Sequence, residues 1–418
     1  MPGKYKGNVK FRNHFFIKKI CGNLFAQSRE AEQGWNGNVL FRFSGILASR
    51  EKYLEPAFSG QSFFHVLHSL FSTIHYPGIV LGSRSKTRRT LLVEADRFLL
   101  GFDIGGTKCA AVLGRETPSG DGMEILGKTR FPTAEEPEPF SCIERFCAEA
   151  EGLLRGKGIA RESVAGIGIS CGGPLDSRRG VILSPPNLPG WDAVPVVDLL
   201  KKRFSLPVFL QNDANACAVA EWKYGAGRGS ENMIFLTFGT GMGAGLILNG
   251  RLYSGSCDNA GECGHIRLAS YGPVGYGKAG SMEGFCSGGG IARLAQMRIL
   301  EVLQRGERVL WAPNPELVDA KQVADAALNG DPLALDIYRE SARHLGQGLA
   351  ILMDLLNPER IVIGSVFARS EALFREEMEK VIRKEALPLA VSVCRIVPSA
   401  LGERIGDIAC LALAGGMV

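Results

Sequence analysis

The chain has 418 residues, of which 45% are apolar, enough to bury more than one sizeable core. Its net charge of +5 is unevenly placed: residues 1–90 hold fourteen Lys/Arg against four Asp/Glu, which leaves 91–418 at −5. The mildly acidic body gives no sign of a nucleic-acid surface, no uninterrupted apolar run reaches membrane-spanning length, and eleven scattered cysteines without a Cys-x-x-Cys pair fit a reducing cytoplasm better than a disulfide framework.

Residues 1–96 read as an atypical basic N-terminal extension. The start, Met-Pro-Gly-Lys-Tyr-Lys, lacks the apolar core and small-residue cleavage site of a signal peptide. The first ninety residues hold ten of the twenty-two Phe and four of the six His, with no sustained helical or strand period. A basic partner-binding arm, a DNA-binding module and upstream sequence translated from a misassigned start compete. A helix-turn-helix needs short helices around a tight Gly-containing turn, and none is found, so the third reading is preferred. A chain beginning at about Leu91 is then expected to keep the chemistry of the body.

Order begins at about Arg97. Phe98 to Ile104 is an apolar strand, Gly105-Gly106-Thr107 a turn, Lys108 to Leu113 a second strand and Met123 to Phe131 a third. Phe140 to Leu154 has helical spacing, and Val164 to Ser170 is a buried strand running into Cys171-Gly172-Gly173-Pro174. Pro195 to Phe204 is a short amphipathic helix before the strand Leu206 to Leu210, and a small-residue helix follows with Asp213 as its natural N-cap. Asn232 to Phe238 and Leu246 to Leu248 are strands on either side of Gly239-Thr-Gly-Met-Gly-Ala-Gly245, while Tyr253 to Ser281 is loop-like. Ser287 caps a helix to about Leu303. Asp331-Pro332 opens another to Leu356. Arg360 to Gly364 is a strand, Glu371 to Lys384 a helix, Val391 to Val397 a strand and Arg404 to Ala414 a last helix. The alternation predicts an α/β architecture.

Asp213 stands at a strand end between two glycine-rich turns. An Asp after a strand is most often only a cap, but this placement suits a carboxylate that acts on a substrate, the catalytic base of a phosphoryl transfer. In Asp103-x-Gly105-Gly106-Thr107-Lys108, two glycines let backbone N–H groups converge on an anion, Thr107 and Lys108 add donors, and Asp103 can hold Mg²⁺ directly or through water. It is not a Walker A loop, because Thr107 precedes Lys108 and a strand follows. Gly239, Thr240 and Gly241 open a second strand–turn–strand unit, with Thr237 and Thr240 as hydroxyl donors. Its spacing is not a dinucleotide fingerprint.

Five motifs, Asp103-x-Gly-Gly-Thr-Lys108, Asn212-Asp213-Ala-Asn-Ala, Gly239-Thr-Gly-Met-Gly, Gly261-Glu-Cys-Gly-His265 and Asn357-Pro-Glu-Arg-Ile-Val-Ile-Gly364, occur in an order that resembles the ROK family of sugar kinases and repressors. The resemblance covers roughly residues 97 to 415. It implies two ribonuclease-H-like domains of the actin and hexokinase type, 97–211 plus about 403–418 and 212–402, closing over ATP and a sugar in the cleft between them. By the same resemblance Asp213 is the base that takes the sugar's proton, and Asn212, Glu262, His265 and Glu283 grip its hydroxyls. Gly172, Gly173 and Asn187 form the mouth of the sugar pocket, and Gly364 lies on the adenine side, although Ser365-Val366 replaces the family's glycines.

Zinc-binding members carry three cysteines where this chain has Val274, Tyr276 and Ser281, so no zinc site is expected. The resulting expectation is a cytoplasmic glucokinase-like enzyme using ATP and Mg²⁺ on a small-molecule sugar, with no membrane or nucleic-acid partner. A homodimer is the state implied by the family. The alternatives are an N-acetylglucosamine or N-acetylmannosamine kinase with the same residues and a sugar-responsive repressor.

Overall fold

A computed structural model describes residues 97–416, so the expectations for the N-terminal extension lie outside the described residues. The first half runs β1 (Phe98–Ile104), β2 (Lys108–Glu116), β3 (Met123–Pro132), α1 (Pro139–Lys157), β4 (Val164–Cys171), the hairpin β5 (Leu175–Asp176) and β6 (Val181–Ile182), α2 (Val196–Phe204), β7 (Val208–Asn212) and α3 (Asp213–Tyr224). The second half runs β8 (Met233–Phe238), β9 (Met242–Leu248), β10 (Arg251–Leu252), the hairpin β11 (Val274–Gly275) and β12 (Lys278–Ala279), α4 (Met282–Cys286), α5 (Gly288–Gln304), α6 (Ala320–Leu328) and α7 (Pro332–Leu356). It ends with β13 (Arg360–Ile363), α8 (Ser365–Glu385), α9 (Pro388–Val393), β14 (Arg395–Pro398) and α10 (Ile405–Ala414).

Two five-stranded sheets repeat one plan, β3-β2-β1-β4-β7 and β10-β9-β8-β13-β14. In each, a meander of three antiparallel strands is extended by two parallel ones. Parallel strands need crossovers, and α1, α2 and the helices from α4 to α9 supply them. The fold is α/β, as the alternation of elements predicts.

Three cores result. One packs α1 and α2 on the first sheet, with Phe102, Phe131 and Phe146 at its centre. A larger one packs α4 to α9 on the second sheet. The third lies between the sheets and is made by α3 and α10, with Ala216, Val219 and Ile408 to Ala414 against Leu99 and Val112 on one side and Phe235 and Val362 on the other. The approach of α10 is close: a Cβ on Gly168 would stand 2.0 Å from the Cys410 carbonyl oxygen, so β4 admits only glycine there.

Local chemistry sets the ends of these elements. The Asp331 carboxylate accepts from Ala334 N–H at 2.9 Å with Pro332 in the first turn, and Asn357 closes α7 at φ 44°. Three expectations are corrected. The N-cap of α3 is Asn212, whose Oδ1 accepts from Asn215 N–H at 2.8 Å, and Asp213 is the first helical residue. The stretch 391–397 is not one strand, because Pro388 starts a short helix and pairing with β13 covers only Arg395–Pro398. The loop 253–281 contains the β11–β12 hairpin and a single 3-10 turn, Cys263–His265.

Candidate active site

The carboxyl ends of β1, β4 and β7 lie side by side, with Asp103 opposite Ser170, Ile104 opposite Cys171 and Cys171 opposite Asn212. Ligands in open α/β sheets bind beyond such ends. Asp213 follows directly, so its carboxyl sits over the strand ends at the first turn of α3. Its Oδ1 accepts from Ala214 N–H at 2.8 Å. Asp213 is exposed at its surface, yet enough protein surrounds it to withhold hydration from its carboxyl. That burial raises its carboxyl above the ordinary Asp range, against the lowering effect of the Ala214 and Asp213 N–H groups.

Asp103 is pushed up to about 6 from 3.8, first by burial and then by the charges of Asp213 and Asp407, with Lys128 and Lys108 pulling the other way. Lys128 and Asp407 form an ion pair between β3 and α10, a contact that no local pattern around either residue announces. Asp103, raised in part by the charge of Asp213, offers oxygen donors that suit a hard cation such as Mg²⁺. A raised carboxyl pKa stabilises the fold at low pH and is lost as pH rises through about 6. Asp103→Asn is therefore expected to stabilise the Mg²⁺-free protein by about 1–3 kcal/mol near pH 8. The gap should close as pH falls below about 4, as read by urea unfolding across that range. A gap that does not change with pH would refute it.

The turn after β1 is built for close approach. A Cβ on Gly106 would stand 2.6 Å from the Asn187 Cβ, so this turn and Asn187 are in contact. Thr107 and Lys108 are exposed, as are Gly173 and Asn187. Gly105 O accepts from Thr133 Oγ1 at 2.6 Å, which anchors the turn to the end of β3.

The second glycine turn is held by the start of α5: Gly288 N–H donates to Gly239 O at 2.7 Å and Gly289 N–H to Thr240 O at 3.2 Å. The Thr237 hydroxyl is taken up within its hairpin, accepting from Gly243 N–H at 2.9 Å. Glu283 Oε2 accepts from Met242 N–H at 3.1 Å, and Gly241 packs against the same carboxylate. Gly364 is buried before α8, and Ser365 takes φ 49°, a left-handed conformation that glycine adopts more readily.

Glu262 and His265 lie in the turn that follows Gly261. At φ 95°, with a Cβ position 2.0 Å from Ala244 O, Gly261 lets this turn lie on β9. Burial raises the Glu262 carboxyl; His265 lowers it, and the charges of Asp213 and Glu283 raise it. The charges of Asp213, His265 and Glu283 thus all reach the Glu262 carboxyl, and that of Asp213 also reaches Asp103.

The zinc ligands of the family are replaced by packing. The Tyr276 ring meets His265 edge-on at 5.2 Å, Lys278 Nζ donates to His265 O at 2.6 Å, and Ser281 Oγ caps α4 by accepting from Gly284 N–H at 3.1 Å. Burial pushes the Cys263 thiol up to about 12 and raises the Cys286 thiol, and neither cysteine stands at the three positions of Val274, Tyr276 and Ser281. Among the described residues, no group of three or more His, Cys, Asp or Glu converges as a metal site. The residues present do not fit zinc. Elemental analysis after dialysis against a chelator is expected to find no stoichiometric zinc, with turnover intact once Mg²⁺ is restored. About one zinc per chain, lost together with activity, would overturn this.

A sequence model of the ROK family matches residues 99–416. The glucokinase of Streptomyces coelicolor is 35% identical over 268 residues, 63% of this chain and 80% of that protein. Two solved structures are similar. A ROK family glucokinase from Streptomyces griseus, in complex with glucose and AMPPNP, gives a TM-score of 0.60 at 30% identity over 76% of this chain and 99% of that one. A ROK family transcriptional regulator, homologous to the Escherichia coli MLC protein, gives 0.66 at 27% identity over 76% and 77%. No helix among the described residues is long and apolar enough to cross a membrane.

Proposed function

The chain belongs to the ROK family, and from that premise we propose that it is an ATP-dependent hexose kinase of the glucokinase type. The observation that carries this reading is the placement of Asp213 at the adjoining carboxyl ends of β4 and β7, beside the end of β1 that carries the Asp103 turn. Carboxylates and an imidazole can orient several sugar hydroxyls at once, and one desolvated carboxylate can take a proton from the reacting one. The likeness to a glucokinase solved with glucose and AMPPNP supports the same assignment.

In this reading Glu262, His265, Glu283 and Asn212 orient the sugar, and Gly172, Gly173 and Asn187 border its pocket. Asp213 accepts the hydroxyl proton as the sugar oxygen bonds to the γ-phosphorus and the bond to the leaving ADP oxygen breaks. The Asp103–Lys108 turn and the turn Gly239 to Gly241, with the Thr240 hydroxyl, supply N–H and side-chain donors to the phosphates, and Gly364 lies on the adenine side; the Thr237 hydroxyl is engaged with Gly243 and shapes the turn instead. Asp103 would hold Mg²⁺, which when bound offsets phosphate charge. The repeated sheet plan supports two ribonuclease-H-like domains, 97–211 with about 403–418 and 212–402, closing on the substrates.

Purified protein with ATP should phosphorylate glucose with a higher kcat/KM than mannose, allose, N-acetylglucosamine or N-acetylmannosamine. Preference for an N-acetylated sugar would keep the chemistry and change the substrate. The likeness to a transcriptional regulator supports a second reading, a sugar-responsive repressor. Sugar-dependent DNA binding at physiological salt without turnover would favour that reading over a kinase.

A further inference from the structure

Asp258 is a buried carboxylate, 8% exposed, that belongs to none of the five family motifs. It lies in the loop between β10 and the Glu262 turn, with its backbone at φ 58°. Both of its oxygens are used. Oδ2 accepts from Ser177 N–H and Oδ1 from Ser177 Oγ, each at 2.8 Å. Ser177 directly follows β5, in the hairpin that continues the Gly172-Gly173 segment from the first sheet. The Asp258 carbonyl oxygen also accepts from Asn212 Nδ2 at 3.5 Å. The loop is closed on itself by Ala260 N–H donating to Ser254 O at 3.1 Å and is tied to β9 by Ala244 N–H donating to Gly261 O at 2.8 Å.

One residue therefore joins three pieces: the hairpin after Gly173, the residue before Asp213, and the strand of chain that reaches Glu262 four residues later. The hairpin extends from the first sheet and the loop from the second. A charged group is retained inside protein only when its partners are in place, which makes this contact selective for one mutual arrangement of the pieces. We propose that Asp258 is a positioning residue for the sugar site, locking the hairpin that borders the pocket to the loop that carries Glu262 and His265. It acts through Ser177 and Asn212 and need not touch the sugar.

This inference rests on the sugar-site reading, and its test separates the two. In the full chain, Asp258→Ala is expected to raise the sugar Kd, measured by calorimetry, and the sugar KM about tenfold or more, since small misplacements of binding groups are costly. The ATP KM should stay within about twofold and kcat within about threefold. Ser177→Ala, which removes one hydroxyl and is the safer variant for folding, should move the sugar Kd in the same direction by several-fold. Ser177→Thr keeps the hydroxyl and should restore it. The Asp258→Ala and Ser177→Ala double variant should be no worse than Asp258→Ala alone. Unchanged sugar affinity in folded Ser177→Ala, or sugar and ATP KM rising together with loss of thermal stability, would leave Asp258 a structural latch only and overturn the proposal. A wild-type chain that binds sugar without phosphorylating it would remove the kinase reading and leave this one to the calorimetry. A wild-type chain that binds no sugar would overturn both.

Discussion

Asp213→Asn is expected to lower kcat by about 10² to 10⁴ while the sugar Kd stays within about tenfold. The amide keeps the shape of the carboxylate and an oxygen that can accept from Ala214 N–H, so the start of α3 is not disturbed. It cannot take the proton of the attacking hydroxyl. Burial raises the Asp213 carboxyl, which predicts an acid limb in the wild-type rate that lies above the ordinary Asp range. Turnover rises as pH passes through that value, because the deprotonated form is the base. The variant's residual rate should lack this limb. Near-wild-type turnover in the Asn variant would remove Asp213 from the role of base.

The second large effect concerns folding. Glu221 is fully buried near the end of α3 and accepts from four donors: Ala226 N–H at 2.7 Å, Leu401 N–H at 2.9 Å, Ala400 N–H at 3.3 Å and the Ser399 hydroxyl. Three of these donors lie between β14 and α10, where the chain passes from the second sheet back towards the first. Glu221→Ala would strand them. Each buried donor without an acceptor costs about 1–3 kcal/mol, and entering water recovers part of that, so a loss of about 3–5 kcal/mol is expected. At this chain size it corresponds to a fall of about 4–7 °C in Tm. Ser399→Ala, which removes one donor and leaves the carboxylate its others, should cost about 1 kcal/mol. A loss below about 1 kcal/mol for Glu221→Ala in urea unfolding would refute the latch.

Much of the fold is written in local patterns. The apolar strands and their glycine turns follow from period and turn chemistry, and Asp331-Pro332 opens α7 where a cap and an N-terminal proline require it. Other features depend on distant partners. The 391–397 stretch is apolar and β-branched enough for a strand, and only the register with β13 restricts pairing to its last residues. Asn212 and Asp213 are both good caps, and the choice between them is made by where β7 ends.

Within the site, Asp103, Glu262, His265 and Glu283 stand out in the sequence because glycines flank them, and Asp213 because it follows an apolar strand and opens a small-residue helix. The residues that brace them carry no such signal. Asp258 and Ser177 are 81 residues apart, and Glu221 is one acidic residue in a small-residue helix, with three of its four partners 178 to 180 residues away. Lys128 and Asp407 meet only when α10 returns to the first sheet.

The helix α3 gives the molecule a lever. Asp213 is its first residue and Glu221, which grips the returning crossover, is eight residues on, so the proposed base and its pivot sit about 12 Å apart on one rigid rod. A turn of the rod by about 5° about the Glu221 end sweeps the Asp213 carboxyl through about 1 Å, a displacement that can cost on the order of a hundredfold in rate. The stiffness of the pivot and the aim of the base are thus one mechanical quantity. A substitution that loosens the grip at residues 399–401 would blunt the chemistry at the far end without touching a substrate.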